Sequence, residues 1–222
     1  MRAIPLSLAF LLAAAIISKG EENPLAGIQV IEVQPSPLAK AVNGAGDKHF
    51  KAMEVVNAAY RKDLAAALGA ATEIEIYLLD FASGPVEKAG YNWEYDLPAD
   101  EFPIVPYKQS SKILQRKKLT AEEAKRLMPS LQETIRAEGA PAGALCHYPI
   151  HGIRIRDGGN ILFQTSICYE CGNFYMAYPL VEGANWEGLS GKEFEKVMKE
   201  LLPIPQGELD RFEEGVMGEK KK

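Results

Sequence analysis

Histidine and cysteine are scarce in this chain, three of each among 222 residues. Basic clusters are absent too, and the formal net charge is −5. An acidic balance without a basic stripe argues against nucleic acid or an anionic membrane surface as the partner, and the Lys220-Lys221-Lys222 end is too short to reverse it. No apolar run approaches the roughly 20 residues that span a bilayer as a helix. There is no Walker loop, no Gly-x-Ser-x-Gly elbow, no dinucleotide fingerprint and no internal repeat.

At the N-terminus stands an export signal: Arg2, an apolar run over residues 6–17, then Ser18-Lys19-Gly20 before Glu21-Glu22. The run lacks the polar face of a docked amphipathic helix. The reading is a signal peptide over residues 1–20, cut after Gly20, with an N-terminal membrane anchor as the alternative if it is not cleaved. No cysteine follows the run, which speaks against a lipoprotein. The protein is therefore expected to be exported, periplasmic or secreted, with no stable membrane span after signal removal. Export changes the meaning of the thiols. Outside the cytoplasm cysteines tend to be oxidised, and three is an odd number, so one disulfide leaves one thiol over unless all three share a metal.

Prolines and glycines at 24, 35, 37, 44 and 46 make residues 21–46 an extended leader. A single domain is expected over residues 47–205. Phe50, Met53, Val56, Tyr60, Leu64 and Leu68 recur at threes and fours, which predicts a helix from an Asp47 N-cap to Gly69. Residues 73–81 alternate and then become solidly apolar, as suits a central strand. Residues 82–108 form a long Pro-rich connection carrying Tyr91, Trp93 and Tyr95, expected to cover one face of the sheet. A strand over 110–117 precedes a capping box at Thr120 to Glu123 and a helix through Leu127, Leu131 and Ile135, in which Pro129 should produce a kink. Two strands flank a turn at Asp157-Gly158-Gly159-Asn160. Ser190-Gly191-Lys192-Glu193 reads as a second capping box, opening a helix buried through Phe194, Val197, Met198, Leu201 and Leu202 and stopped by Pro203. Residues 206–222 read as a flexible charged tail. This order predicts an α+β fold, an antiparallel sheet with helices packed mainly on one face.

All three cysteines and two of the histidines fall between 146 and 171: Cys146-His147-Tyr148-Pro149-Ile150-His151-Gly152, then Ile167-Cys168-Tyr169-Glu170-Cys171. Register closes the gap between the two stretches. Every cross-strand pair must share a face. A two-residue loop at Gly158-Gly159 would pair Ile153 with Gln164 and Arg154 with Phe163, mixing apolar and polar. A three-residue loop sets Ile155 against Phe163, Ile153 against Thr165 and His151 against Ile167, with Arg154 against Gln164 on the other side, and is preferred, with Gly and Asn at positive φ. Either way Cys146 and His147 come opposite Cys171. His151 lies on the apolar side, where Pro149 or Gly172 must break the pairing if its ring is to turn toward the thiols.

Three chemistries suit this cluster. A closed zinc site of Cys146, His151, Cys168 and Cys171 has suitable ligand types and number. A disulfide from Cys146 to Cys171 would leave Cys168 free. Thiol redox catalysis by Cys168 and Cys171 would lack a helix N-terminus to lower a thiol pKa. Haem attachment is excluded because Gly172 stands where a histidine is required. Elsewhere, His49 reads as a surface residue, Phe174, Tyr175 and Tyr178 as core or rim, and Arg154 with Arg156 as a solvated hairpin face.

The stretch resembles a motif of uncharacterised exported bacterial proteins, Cys-x-x-Pro-x-His-Gly-Ile followed after a short hairpin by Ile-Cys-x-x-Cys. Cys146, Pro149, His151, Gly152, Ile153, Ile167, Cys168 and Cys171 match it. The resemblance covers the C-terminal third and implies a shared site, without an activity. His147 stands outside the motif, so the resemblance implies His151 as the ligand. The function expected is that of a non-enzymatic exported module with a structural zinc-type site. A thiol redox or metal-dependent enzyme using the same residues is the alternative.

Overall fold

The computed structural model describes residues 37–87, 97–104, 108–137, 147–178 and 186–217, with side chains from residue 46 onward. The signal peptide expected over residues 1–20 lies outside the described residues, as do Tyr91, Trp93, Tyr95 and Cys146. From Asp47 onward the chain forms one compact unit.

The first helix, α1, spans Pro37–Ala67. Its start corrects two expectations: residues 37–46 are helical instead of extended leader, and Asp47 is an interior residue instead of an N-cap. Proline at the first helical position has its φ already set for a helix. Gly44 and Gly46 each cost only about 1 kcal/mol relative to alanine, which does not stop a helix rich in Ala. Burial is narrower than the stripe suggests. Leu64, Ala65 and Leu68 enter the core, whereas Phe50 is 68% exposed.

Strand β1 (Glu73–Leu79) sits between β4 (Gln109–Lys118) and β5 (His151–Asp157) in an antiparallel sheet, as its apolar run predicts. Two short strands, β2 (Val86–Glu87) and β3 (Glu101–Ile104), pair with the N-terminal end of β4. Beyond β5 the sheet continues through β6 (Asn160–Cys168), β7 (Asn173–Tyr175) and β8 (Trp186–Gly188), giving eight strands among the described residues.

The β5–β6 hairpin uses both registers considered above. Ile155↔Phe163, Ile153↔Thr165 and His151↔Ile167 pair as preferred, but at the tip Asp157 meets Asn160 and Arg156 meets Ile161. A two-residue Gly158-Gly159 turn closes the hairpin, and a bulge next to Ile155 restores the apolar register. Such an insertion is the standard way to shift pairing by one residue. Gly158 has φ +57°, while Asn160 is not left-handed, contrary to the three-residue loop.

One face of the sheet carries Ile74, Ile76, Leu78, Ile153, Ile155, Phe163 and Ile167. The helices bury their stripes in the same core: α1, α2 (Ala121–Arg136) through Leu127, Leu131 and Ile135, and α3 (Glu193–Leu201) through Phe194, Val197, Met198 and Leu201. The fold is α+β. The box at Thr120 forms in full, its hydroxyl accepting from the Glu123 amide and the Glu123 carboxylate from the Thr120 amide. The box expected at Ser190 does not. Lys192 is the N-cap without a side-chain bond, because α3 begins only at Glu193, too late for Ser190 to reach its amides. The tail is also corrected. Residues 206–212 form α4 (Gln206–Phe212), followed by a wide helical turn at Glu213–Met217. Phe212 is buried against Phe81 and Tyr148, at ring separations of 5.3 and 5.4 Å.

Candidate functional site

Side chains alternate across a strand, so the pairing of His151 with Ile167 sends Cys168 to the opposite face. His151 is therefore on the helix-covered side and Cys168 on the other. The structure does not bring these two expected ligands together. His151 is fully buried. Its Nε2–H donates to the Leu202 carbonyl at 2.9 Å, which leaves Nδ1 to accept the Tyr169 hydroxyl proton at 2.9 Å. Burial, with Lys199 nearby, pulls this imidazole down to about 4, against the Leu202 bond, so the ring stays neutral. Lys199 in turn lies 4.8 Å from the centre of the Tyr169 ring and pairs with Glu195.

It is His147 that crosses to the thiol face. Residues 147–150 are not in a strand, since Pro149 has no amide hydrogen to give to a ladder. Ile150 still anchors the segment, its amide bonded to Ile167 and its carbonyl to the Leu79 amide. Free of regular alternation, the His147 ring lies 4.6 Å from Trp186. Its Nδ1–H donates to Asn173 Oδ1 at 3.0 Å, and Nε2 accepts from the Ser166 hydroxyl at 2.8 Å. Desolvation pulls this ring down to about 4 as well, against the Asn173 bond.

Ser166 and Asn173 are the residues that sequence reasoning missed. The signal was present, for the preferred register places Ser166 beside Cys168 on the face away from Ile167. What the pattern could not show is that this second face is covered. Its cover comes from Phe102 of β3, which packs on Tyr77 at 4.9 Å and sits over Gly152, the cross-strand partner of Ser166. The chain Ser166–His147–Asn173 has the polarity of a nucleophile, base and orienting group. Ser166 is only 1% exposed, however, and no substrate carbonyl can approach its hydroxyl in this state.

Cys168 is a free, fully buried thiol at the end of β6. Its sulfur accepts the Cys171 amide at 3.3 Å across a turn in which Gly172 N–H bonds to the Tyr169 carbonyl. Burial pushes the thiol up, against the pull of the Cys171, Tyr148 and Glu170 amides. Cys171 itself is half-buried, is not free, and carries no titratable thiol.

A zinc ion does not fit the described members of the expected set as they stand. Both nitrogens of His151 and both of His147 are engaged in hydrogen bonds, and His151 points away from Cys168. Among the described residues no group of three or more His, Cys, Asp or Glu side chains is placed to hold a metal ion.

The remaining candidates resolve into structure. Arg154 bonds Gln164 and lies over the Tyr77 and Phe102 rings at 5.5 and 5.6 Å, while Arg156 pairs with Glu73 and Glu75. Burial and the bond to Glu75 push the Tyr77 hydroxyl up to about 12. Tyr178 is buried, receiving Arg61 and donating to Glu187, and Phe174 is buried in the core. His49 is exposed beside Phe50. Among the described residues no helix is long and apolar enough to cross a membrane.

No family model matches the chain, and no curated protein and no solved structure does either.

Proposed function

We propose that this is an exported, non-enzymatic module whose hairpin end is clamped by a disulfide from Cys171 to Cys146, together with the buried His147 network. The observation that carries it is the contrast between the two thiols of the Cys-x-x-Cys: Cys168 is free and Cys171 has no titratable thiol. Cys146 is the third cysteine of the chain and so the available partner. A bridge closing a loop of this length stabilises a fold by roughly 3 kcal/mol. The non-enzymatic part rests on access among the described residues, because Ser166 and Cys168 are buried and both nitrogens of His147 and of His151 are hydrogen-bonded. Export rests on the N-terminal apolar run.

Non-reducing peptide mapping, thiol titration and metal analysis on protein purified without chelator test the reading together. The expected result is a Cys146–Cys171 linked peptide, one thiol after denaturation and no stoichiometric zinc. Three titratable thiols with one equivalent of zinc would overturn it in favour of a zinc-type site on Cys146, Cys168, Cys171 and one histidine. In that case Cys168→Ser and Cys171→Ser would each release the metal and lower thermal stability.

A further inference from the structure

We propose that Arg116 and Arg154 form a binding site for a tetrahedral oxyanion, a phosphate or sulfate group, on the sheet face away from the helices. The inference is independent of the disulfide reading above and uses none of its residues.

Two observations carry it. The first is placement. Arg116 is the cross-strand partner of Tyr77 and Arg154 that of Glu75, two positions earlier in β1, so the four side chains share one face. From opposite flanks the guanidiniums reach the same ring, Arg116 at 5.4 Å and Arg154 at 5.5 Å from the centre of Tyr77. The sequence shows no basic stripe because these arginines belong to β4 and β5, which meet only through β1. The second observation is charge. The neighbouring carboxylates are already engaged: Glu73 pairs with Lys118 and Arg156, while Glu75 Oε2 takes Arg156 at 3.3 Å and the Tyr77 hydroxyl at 2.7 Å. Arg116 and Arg154 have no carboxylate partner among the described residues.

A guanidinium is a rigid fork of N–H donors, and those withdrawn from water need acceptors. Arg154 is half-buried; its Nε donates to Gln164 Oε1 and its Nη1 to the Tyr77 hydroxyl at 3.4 Å, while its Nη2 has no acceptor among the described residues. Arg116 donates from Nη2 to the Ala99 carbonyl at 2.7 Å, which leaves its Nε and Nη1. These neutral acceptors fix both side chains and leave both charges uncompensated. What the forks lack is an anion. A carboxylate holds its oxygens in one plane and suits a single fork, whereas a tetrahedral oxyanion presents oxygens to forks arriving from two strands. A free anion and a lipid headgroup offer the same group, and the experiment separates them.

The full chain is titrated with sodium phosphate, then with sodium sulfate, at an ionic strength held constant with chloride, and followed by calorimetry and backbone-amide NMR. The expected result is saturable binding with shifts centred on Tyr77, Arg116 and Arg154. Arg116→Gln and Arg154→Gln should each weaken it about tenfold, the worth of one charge-assisted hydrogen bond. Arg126→Gln, which alters an exposed arginine of α2 paired with Glu200, should leave it unchanged. Cosedimentation with phosphatidylglycerol vesicles that phosphate reverses identifies a lipid headgroup as the source, and saturable phosphate binding without cosedimentation identifies the free anion. The site is overturned if chloride alone reproduces the shifts, if the response does not saturate, or if Arg116→Gln binds as well as the unchanged chain. Arg116→Gln decides the question even where Arg154→Gln fails to fold, because Arg116 is exposed and its one hydrogen bond is to a backbone carbonyl.

Discussion

The Nε2–H of His151 lies 2.9 Å from the carbonyl oxygen of Leu202, so the first residue of β5 is tied to the residue that ends α3. The bond fixes the neutral tautomer, and with it the direction of the Tyr169 hydroxyl, which donates to Nδ1 at 2.9 Å. His147 is held in the same neutral form on the other face by Asn173 and Ser166. Two buried imidazoles thus join the hairpin to its surroundings without a charge.

Acid should loosen the fold through these rings. Both are pulled from 6.5 to about 4. Between those values the unfolded chain binds protons that the folded chain refuses, so the stabilisation is complete above pH 6.5 and is lost as pH falls through 4. Each ring accounts for on the order of 3 kcal/mol at the acid end. Urea midpoints at pH 7, 5.5 and 4.5 should fall in that order, and His151→Gln should flatten the profile. Equal midpoints at pH 7 and 4.5 would rule this out.

Tyr169→Phe removes the donor to His151 Nδ1 and leaves a buried acceptor unmatched. The expected cost is about 1–3 kcal/mol at neutral pH, read from denaturant unfolding.

Gly152→Ala tests the cover of the second face. A Cβ at this position would stand 2.8–2.9 Å from three carbons of the Phe102 ring. Overpacking of this kind costs roughly 1–3 kcal/mol, and Phe102→Leu should recover part of it in a double-mutant cycle. Additive effects would mean that the two residues do not meet.

The two expected capping boxes should now separate. Thr120→Ala breaks a formed cap and should cost about 1 kcal/mol. Ser190→Ala breaks none, and it removes a buried hydroxyl that has no hydrogen-bond partner among the described residues. Its thermal midpoint should stay at or slightly above that of the unchanged chain.

Phe212→Ala tests whether α4 belongs to the fold. Phe212 is 6% exposed between Phe81 and Tyr148. Truncating a buried phenylalanine costs about 3–5 kcal/mol, whereas a frayed tail would tolerate the change without effect.

Period and local chemistry made much of this legible. The strand register of β5 and β6 follows from keeping Ile153, Ile155, Phe163 and Ile167 on one side, and the α2 cap from Thr120 and Glu123 three residues apart. The same reasoning missed the helical start at Pro37, where alanine-rich residues outweigh two glycines. It missed the docked Phe212 too, because one aromatic in a charged segment gives no periodic signal.

What the sequence by itself determined is which residues share a face, since alternation and turn length are local. It put His151 with Ile167 and therefore against the helices, even while ligand chemistry drew attention to Cys168 on the other side. Only tertiary structure decided which faces are covered and where the irregular segment at 147–150 turns. That depends on β3 laying Phe102 over Gly152, and on the freedom Pro149 gives the chain to carry His147 across to Ser166 and Asn173. Such contacts join residues far apart in the chain, and their energies appear only once the elements between them have packed.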